Sequence, residues 1–189
     1  MSMRKFMRAT EPDVLREHSE AWGQEWARKH GEEKTFAWPQ KNGKPLNHIL
    51  LPALKEQTQE HCSFCDAYPV SPPGTETIEH FRPKSVYHED AFSWGNLYYC
   101  CNHCQKQKQE KFDEKLLRPD ELGYRFDDYF RWDFISGHLL PNDAPNVSDE
   151  NRERAKLTIK MYGLNVGHPE VRLNQLRKCP QPEIGRAHV

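Results

Sequence analysis

Long apolar runs and a strong net charge are both absent from this sequence of 189 residues. It has no stretch of about eighteen apolar residues and no apolar h-region after Met1, so we expect neither a membrane-spanning helix nor a secretion signal. The formal net charge of -1 excludes the overall positive charge that is typical of many nucleic-acid-binding domains. We therefore expect a cytoplasmic protein in which any contact with nucleic acid is local.

Apolar content is low, and large rings supply much of it. Hydrophobic residues make up 36% of the chain and charged residues 29%, yet 11% are aromatic, which is typical of an ordered, polar domain. The periodicity predicts an α+β, mainly helical fold with an N-terminal helical region over residues 1–60 and a C-terminal region of aromatic cover and helices over 119–182. The predicted elements are helices over 10–29 (with Thr10 as N-cap), 46–60, 103–117, 148–161 and 168–178, a loop over 35–45, strands over 75–81 and 96–101, and a hairpin or irregular cover over 123–140. Trp22 and Trp26 recur at helical spacing in the first helix and are expected to be packing residues.

The last seven residues, 183–189, are predicted to be a non-native tail. They can be back-translated as GAG ATC GGA AGA GCA CAC GTC, which looks like the start of a common sequencing adapter whose next triplet would be a stop codon. We exclude them from reasoning about the fold and expect the natural chain to continue differently after Pro182.

Four of the six cysteines form two Cys-x-x-Cys pairs, Cys62 with Cys65 and Cys101 with Cys104. Each spacing lets a tight turn direct two thiolates at one ion, and four thiolates are a common ligand set for structural zinc. The interval between the pairs is longer than in ordinary zinc knuckles, because it holds the two predicted strands. Zinc would therefore join the base of a strand–loop–strand unit.

Other ligand sets remain open at this point. Cys100 could compete with Cys101 through a three-residue spacing, and His61 or His103 could replace a thiolate. Two unrelated pairs of buried thiols are a further alternative. Cys179 is expected to be an ordinary thiol.

An acidic residue and a histidine, Glu79-His80, end the first predicted strand between the cysteine pairs. A histidine can accept a proton from water near neutral pH, and a carboxylate can hold Mg²⁺. A lone strand histidine is more often structural, so the pair alone is weak evidence. The basic run from Lys106 to Arg118 is likewise typical of a solvated helix face when it stands alone.

In combination, these residues resemble the HNH endonuclease family, whose ββα-metal core often sits in a frame of two Cys-x-x-Cys pairs. The resemblance implies such a core over residues 61–118, with His80 as general base and Asn96 of Trp94-Gly-Asn96-Leu97 as the brace of the loop that orients it. It implies Glu79 and Gln105 as ligands of a catalytic Mg²⁺ or Mn²⁺. Gln105 departs from the asparagine or histidine that is usual at this position.

Three cations near these motifs, Arg82, Lys84 and Lys108, are expected to contact backbone phosphates. The resemblance is closer still to the HNH proteins encoded with retrons and in Septu-type antiphage systems, the PtuB-like group. It covers most of the chain, and it rests on Ile78-Glu-His-Phe-Arg-Pro-Lys84, Trp94-Gly-Asn96-Leu97, Glu11-Pro12, Tyr162-Gly-Leu-Asn165 and Arg172.

The sequence thus predicts a metal-dependent HNH endonuclease that acts as the effector of an antiphage system. The resemblance implies a nucleic-acid substrate, a PtuA-like ATPase as partner and a retron reverse transcriptase complex as a further partner. Two alternatives stay open. One is a non-catalytic zinc module that binds nucleic acid or protein, with Gln105 marking a decayed site, and the other is an RNA-cleaving enzyme that uses the same residues on transfer RNA.

Overall fold

The computed structural model describes residues 3–32, 34–70, 74–167, 169–170 and 173–174. Within them the fold is α+β, as predicted, with four α-helices and three antiparallel strand pairs. The helices are α1 (Asp13–Gly31), α2 (Leu46–Gln57), α3 (Asn102–Lys108) and α4 (Asp149–Met161). The strand pairs are β1 (Gln40–Lys41) with β2 (Lys44–Pro45), β3 (Glu76–His80) with β4 (Leu97–Cys101), and β5 (Phe130–Trp132) with β6 (Leu139–Pro141). Short 3-10 helices span His88–Phe92, Trp94–Asn96 and Phe126–Asp128.

The first helix begins later than its sequence pattern predicts. The N-cap is Pro12, whose φ of -58° and ψ of 140° are extended, and no side chain caps the helix, so the prediction of Thr10 as N-cap was wrong. Asp13 in the first turn still complements the helix dipole. Helix α1 lies along the His88–Phe92 turn, and a Cβ on Gly23 would stand 2.6 Å from the Glu89 carbonyl oxygen, so only glycine permits this approach.

The β3–β4 hairpin and α3 form the centre of the molecule. The register pairs Glu76 with Cys101 at one end and His80 with Leu97 at the other, and every residue of β4 is buried. Helix α3 follows β4 directly but ends at Lys108, so the predicted helix over 103–117 was too long. It ends there because Gln109 adopts a left-handed φ of 54° and its N–H bonds back to the Gln105 carbonyl oxygen.

Helix α4 and the N-terminal arm complete the fold. Helix α4 begins as predicted at Ser148, whose hydroxyl accepts the Asn151 N–H at 3.1 Å. The N-terminal arm lies against the core, with Met3 and Phe6 buried in it. Its Arg8 guanidinium donates to the carbonyl oxygens of Trp94 (2.6 Å) and Leu97 (3.0 Å) and to the Asp120 carboxylate (2.8 Å). Segments far apart in sequence therefore share one core.

No α-helix within the described ranges is long and apolar enough to cross a membrane. Several predictions lie outside the described residues: the tail over 183–189, most of the helix over 168–178, Arg172 and Cys179.

Candidate functional site

The two cysteine pairs meet at one end of the β3–β4 hairpin. The Sγ atoms of Cys62, Cys65, Cys101 and Cys104 all lie within 4.8 Å of one another, and those of Cys65 and Cys101 are 3.7 Å apart. A tetrahedral ion with zinc–sulfur bonds of about 2.3 Å would separate its ligands by about 3.8 Å. A disulfide would need about 2.05 Å between sulfurs, and all four thiols are free. The geometry therefore fits a metal ion.

Backbone N–H groups donate hydrogen bonds to two of these sulfurs. The Cys101 N–H points at the Cys62 sulfur (3.4 Å) and the Cys104 N–H at the Cys101 sulfur (3.5 Å), as expected where a turn surrounds thiolates. Hydrogen bonds from the thiols of Cys100 and Cys104 hold the pKa of Cys101 far below its usual value. These contacts favour the deprotonated form of Cys101, whereas neighbouring thiols raise the pKa of Cys65 and burial raises that of Cys104, so the charge of a metal ion would be needed to deprotonate those two.

The alternative ligands have other partners. The Cys100 thiol donates to the Cys101 carbonyl oxygen at 3.3 Å, and burial raises its pKa. His61 pairs through Nδ1 with the Asp66 carboxylate at 2.7 Å and stacks on Tyr68. Within the described part of the chain, the four cysteines of the two pairs are the only group of histidine, cysteine and acidic side chains with metal-site spacing.

His80 lies at the end of β3 that is farther from the four cysteines. Its ring is 7% exposed, stacks on Trp38 (centroids 5.4 Å apart) and meets the edge of Phe36 (5.5 Å). Its Nε2 lies 2.9 Å from the Ala91 carbonyl oxygen, which can only accept, so Nε2 carries the proton and Nδ1 is left as the basic nitrogen. Burial and the nearby Lys84 charge lower the pKa of His80 to about 3, so the ring is neutral at pH 7.

Asn96 fixes the loop that carries the Ala91 carbonyl. Its Oδ1 accepts the Arg82 N–H at 2.7 Å, and its Nδ2 donates to the carbonyl oxygens of Arg82 and Asp90, both at 3.0 Å. One buried amide thus ties together both ends of the loop after His80. The contact with Asp90 connects Asn96 to the Ala91 loop, and the role of Asn96 as the brace that orients a base stays a prediction.

Glu79 is engaged by a buried lysine. The Lys108 ammonium, 0% exposed, lies 2.7 Å from the Glu79 carboxylate and 2.8 Å from the His80 carbonyl oxygen. Burial raises the pKa of Glu79 to about 7 although the Lys108 charge opposes that rise, so desolvation is the larger effect. Lys108 faces the protein interior here, whereas the sequence predicted contact with a phosphate.

Gln105 lies against β3, where its Nε2 donates to the Ile78 carbonyl oxygen at 3.1 Å. The amide oxygen is the Gln105 atom that could coordinate an ion. Glu79, the other predicted ligand, already binds the Lys108 ammonium. In this arrangement the two side chains do not form an open site for Mg²⁺, and Lys108 would have to leave before Glu79 could bind an ion.

Arg82 and Lys84 follow His80 closely in the chain, and both have acidic partners. Arg82 pairs with Asp90 at 3.3 Å and Glu114 at 3.5 Å, and Lys84 pairs with Glu110 at 3.4 Å. Exposed pairs of this kind contribute little to stability, so a bound phosphate could replace the carboxylates.

The aromatic cover of His80 was not predicted from the sequence. Phe36 and Trp38 lie in a segment that was predicted to be only a loop, because its proline and Asn-Gly signals outweighed its two rings. The alternation of two aromatic residues directly before Pro39 was the available signal.

The described site thus has a thiol cluster and a buried histidine at opposite ends of one hairpin. No protein-family model matches the chain, and comparison with curated proteins finds no match.

Proposed function

We propose that this protein is a metal-dependent endonuclease of the HNH type that hydrolyses phosphodiester bonds in nucleic acid. The observation that carries the proposal is the neutral His80, which is held by the Ala91 carbonyl so that Nδ1 is the basic nitrogen. The strand pair β3–β4 is followed directly by helix α3, which is the element order of a ββα core, and Gln105 of α3 donates to the backbone of β3 two residues before His80.

In the proposed reaction His80 Nδ1 accepts a proton from water as the water oxygen attacks phosphorus. The bond from phosphorus to the leaving sugar oxygen breaks, and that oxygen takes a proton from solvent. A pKa of about 3 makes a free imidazole a weak base, but the negative charge of a bound phosphodiester favours imidazolium and raises that pKa. Asn96 keeps the Ala91 loop in place while the charge on His80 changes. The aromatic contacts with Phe36 and Trp38 fix the plane of the ring.

Arg82 and Lys84 would bind the phosphates on either side of the attacked bond, with an affinity that falls as salt increases. A catalytic Mg²⁺ or Mn²⁺, held by Gln105 and by Glu79 once Lys108 has moved, would supply charge neutralisation at the reacting phosphate.

Structural zinc is proposed for the four cysteines, because an all-thiolate tetrahedral set suits zinc better than magnesium or calcium. Cys101 is both the last residue of β4 and the residue before α3, so zinc would fix the angle between hairpin and helix. The metal would then determine whether Gln105 lies next to β3.

A second candidate is a non-catalytic zinc module that binds nucleic acid or protein. The buried contact between Glu79 and Lys108 favours it, since it occupies the carboxylate that a catalytic ion would need. This candidate predicts that the biological effect survives a change at His80.

We further propose a biological setting, the effector nuclease of a retron- or Septu-like antiphage system, with a PtuA-like ATPase and a retron reverse transcriptase complex as partners. This setting rests on the resemblance of the sequence motifs.

The test is cleavage of plasmid DNA and of total cellular RNA by the purified chain with Mg²⁺ or Mn²⁺, alone and with the ATPase. His80→Ala should lower the rate by about 10²- to 10⁴-fold, the usual contribution of a general base. His138→Ala, which removes an exposed histidine from the β5–β6 hairpin, is the matched control and should keep full activity.

Metal-dependent cleavage that His80→Ala removes and His138→Ala retains would support the nuclease. Zinc-loaded protein that cleaves neither substrate, even with the ATPase, would favour the binding module instead.

A further inference from the structure

A cavity of about 490 Å³ lies beside the segment that covers His80, and the proposed function gives it no role. Its walls come from α1, from residues 34–39 and from Phe92. The volume is within the range of about 300–1,000 Å³ that is common for small-ligand pockets.

One short segment contacts both the cavity and His80. Phe36 and Trp38 pack on the His80 ring, and the residues that alternate with them, Thr35, Ala37 and Pro39, line the cavity. Phe92 lines the cavity too, and it directly follows Ala91, whose carbonyl binds His80. A ligand in the cavity would therefore lie next to the residues that hold the His80 ring in place.

Aromatic rings give the cavity its chemistry. Trp22 and Trp26 are four residues apart on one face of α1, and Trp22 lies 6.0 Å from the Phe92 ring. The Trp26 indole N–H donates to the Lys84 carbonyl oxygen at 2.7 Å, which fixes this ring and connects the cavity to the loop with the proposed phosphate contacts. Trp22, the half-buried ring of the two, is a platform for a nucleobase, because every base has a π-face that can stack, whereas Trp26 is 6% exposed.

The charges of the cavity suit a nucleotide. Two lysines, Lys29 and Lys34, and one acid, Glu25, contribute to its lining, which leaves a net positive charge. Lys29 pairs with Glu25 at 2.6 Å and Lys34 with Glu32 at 2.7 Å, all of them well exposed side chains whose pairing is weak. Both ammonium groups can therefore turn to a phosphate.

We propose that this cavity binds an unpaired nucleobase of the strand whose phosphodiester reaches His80, so that the preferred substrate contains a single-stranded segment. A base inside a duplex is stacked between its neighbours and would first have to leave the stack. The inference rests on the proposed nuclease function and adds a substrate class to it. DNA and RNA share this stacking chemistry, and the experiment compares both.

The experiment measures binding of fluorescein-labelled twelve-nucleotide DNA and RNA, single-stranded and as blunt duplexes, to the full zinc-loaded chain without Mg²⁺ or Mn²⁺. Single strands of at least one of the two should bind more tightly than the duplex. Trp22→Ala should weaken single-strand binding about 5- to 100-fold, as expected for the loss of one stacked base, and Trp22→Phe should restore most of it. Lys34→Gln should reduce the salt dependence by about one phosphate contact.

Phe134→Ala is the matched control, since Phe134 is an aromatic side chain 68% exposed at the β5–β6 turn. Equal binding of single strand and duplex, or wild-type affinity in folded Trp22→Ala, would overturn the cavity's role, as would an equal loss in Phe134→Ala. Cleavage is scored separately with metal added. A chain that cleaves without the Trp22 effect refutes the cavity alone, and one that shows the Trp22 effect without cleavage refutes the nuclease alone.

Discussion

The buried contact between Lys108 and Glu79 can be tested by replacing Lys108 with methionine, which keeps the length of the side chain and removes its charge. The change leaves the Glu79 carboxyl buried without its cation, and breaking such a pair costs about 3–5 kcal/mol. In a chain of this size that corresponds to a fall of about 6–20 °C in Tm. The measurement is thermal unfolding at pH 8 and at pH 5, with zinc content checked for each sample.

The fall in Tm caused by Lys108→Met should depend on pH. The folded-state pKa of Glu79 is raised above its ordinary value of 4.5 to about 7, so the carboxyl is mostly protonated at pH 5 and mostly ionised at pH 8. Lys108→Met should therefore cost less at pH 5, where it leaves a neutral acid, than at pH 8. Lys106→Met, on the exposed face of α3, is the control and should change Tm little at either pH. An equal loss at both pH values would refute this account of the pair.

Two further predictions concern the ends of the hairpin. Cys104→Ser should lower the zinc content and unfold the hairpin region, measured by metal analysis and circular dichroism. The control is Cys100→Ser, which changes a buried thiol outside the four-cysteine set and should keep its zinc. The folded-state pKa of His80 is depressed from 6.5 to about 3, so its contribution to stability is present above pH 6.5 and is lost as pH falls toward 3. Between pH 7 and pH 4 the free energy of unfolding, measured with urea, should fall by about 3 kcal/mol more in the wild type than in His80→Phe. Parallel losses in the two proteins would contradict the burial of a neutral ring.

Local patterns predicted the local structure well. The hairpin strands, the helix that begins at Ser148 and the meeting of the two cysteine pairs all depend on residues close in sequence or on one ligand set, and the structure contains each of them. Helix α3 was predicted too long, because a run of lysines favours a helix and nothing local reveals the left-handed residue Gln109.

Long-range contacts were not predictable in the same way. Lys108 was assigned to a phosphate because it matches the lysine that ends the last motif of the family which the sequence resembles. Its partner Glu79 is 29 residues earlier and draws it into the core. The two tryptophans of α1 were expected to be packing residues. Only the fold shows that Trp22 and Trp26 line a cavity next to the cover of His80. The roles of Gln105 and the cations remain predictions.

The contacts of Arg8 also have a consequence for the timing of synthesis. Arg8 is 112 residues before Asp120 and 86 before Trp94. At a translation rate of about 5–20 residues per second, Arg8 waits roughly 6–22 s on the ribosome before its carboxylate partner is made. The β3–β4 hairpin is translated in that interval. Arg8, which binds the carbonyl oxygens of Trp94 and Leu97, cannot form its ion pair with Asp120 until residue 120 has emerged. A nascent chain would therefore complete this part of the protein only after most of it has been synthesised.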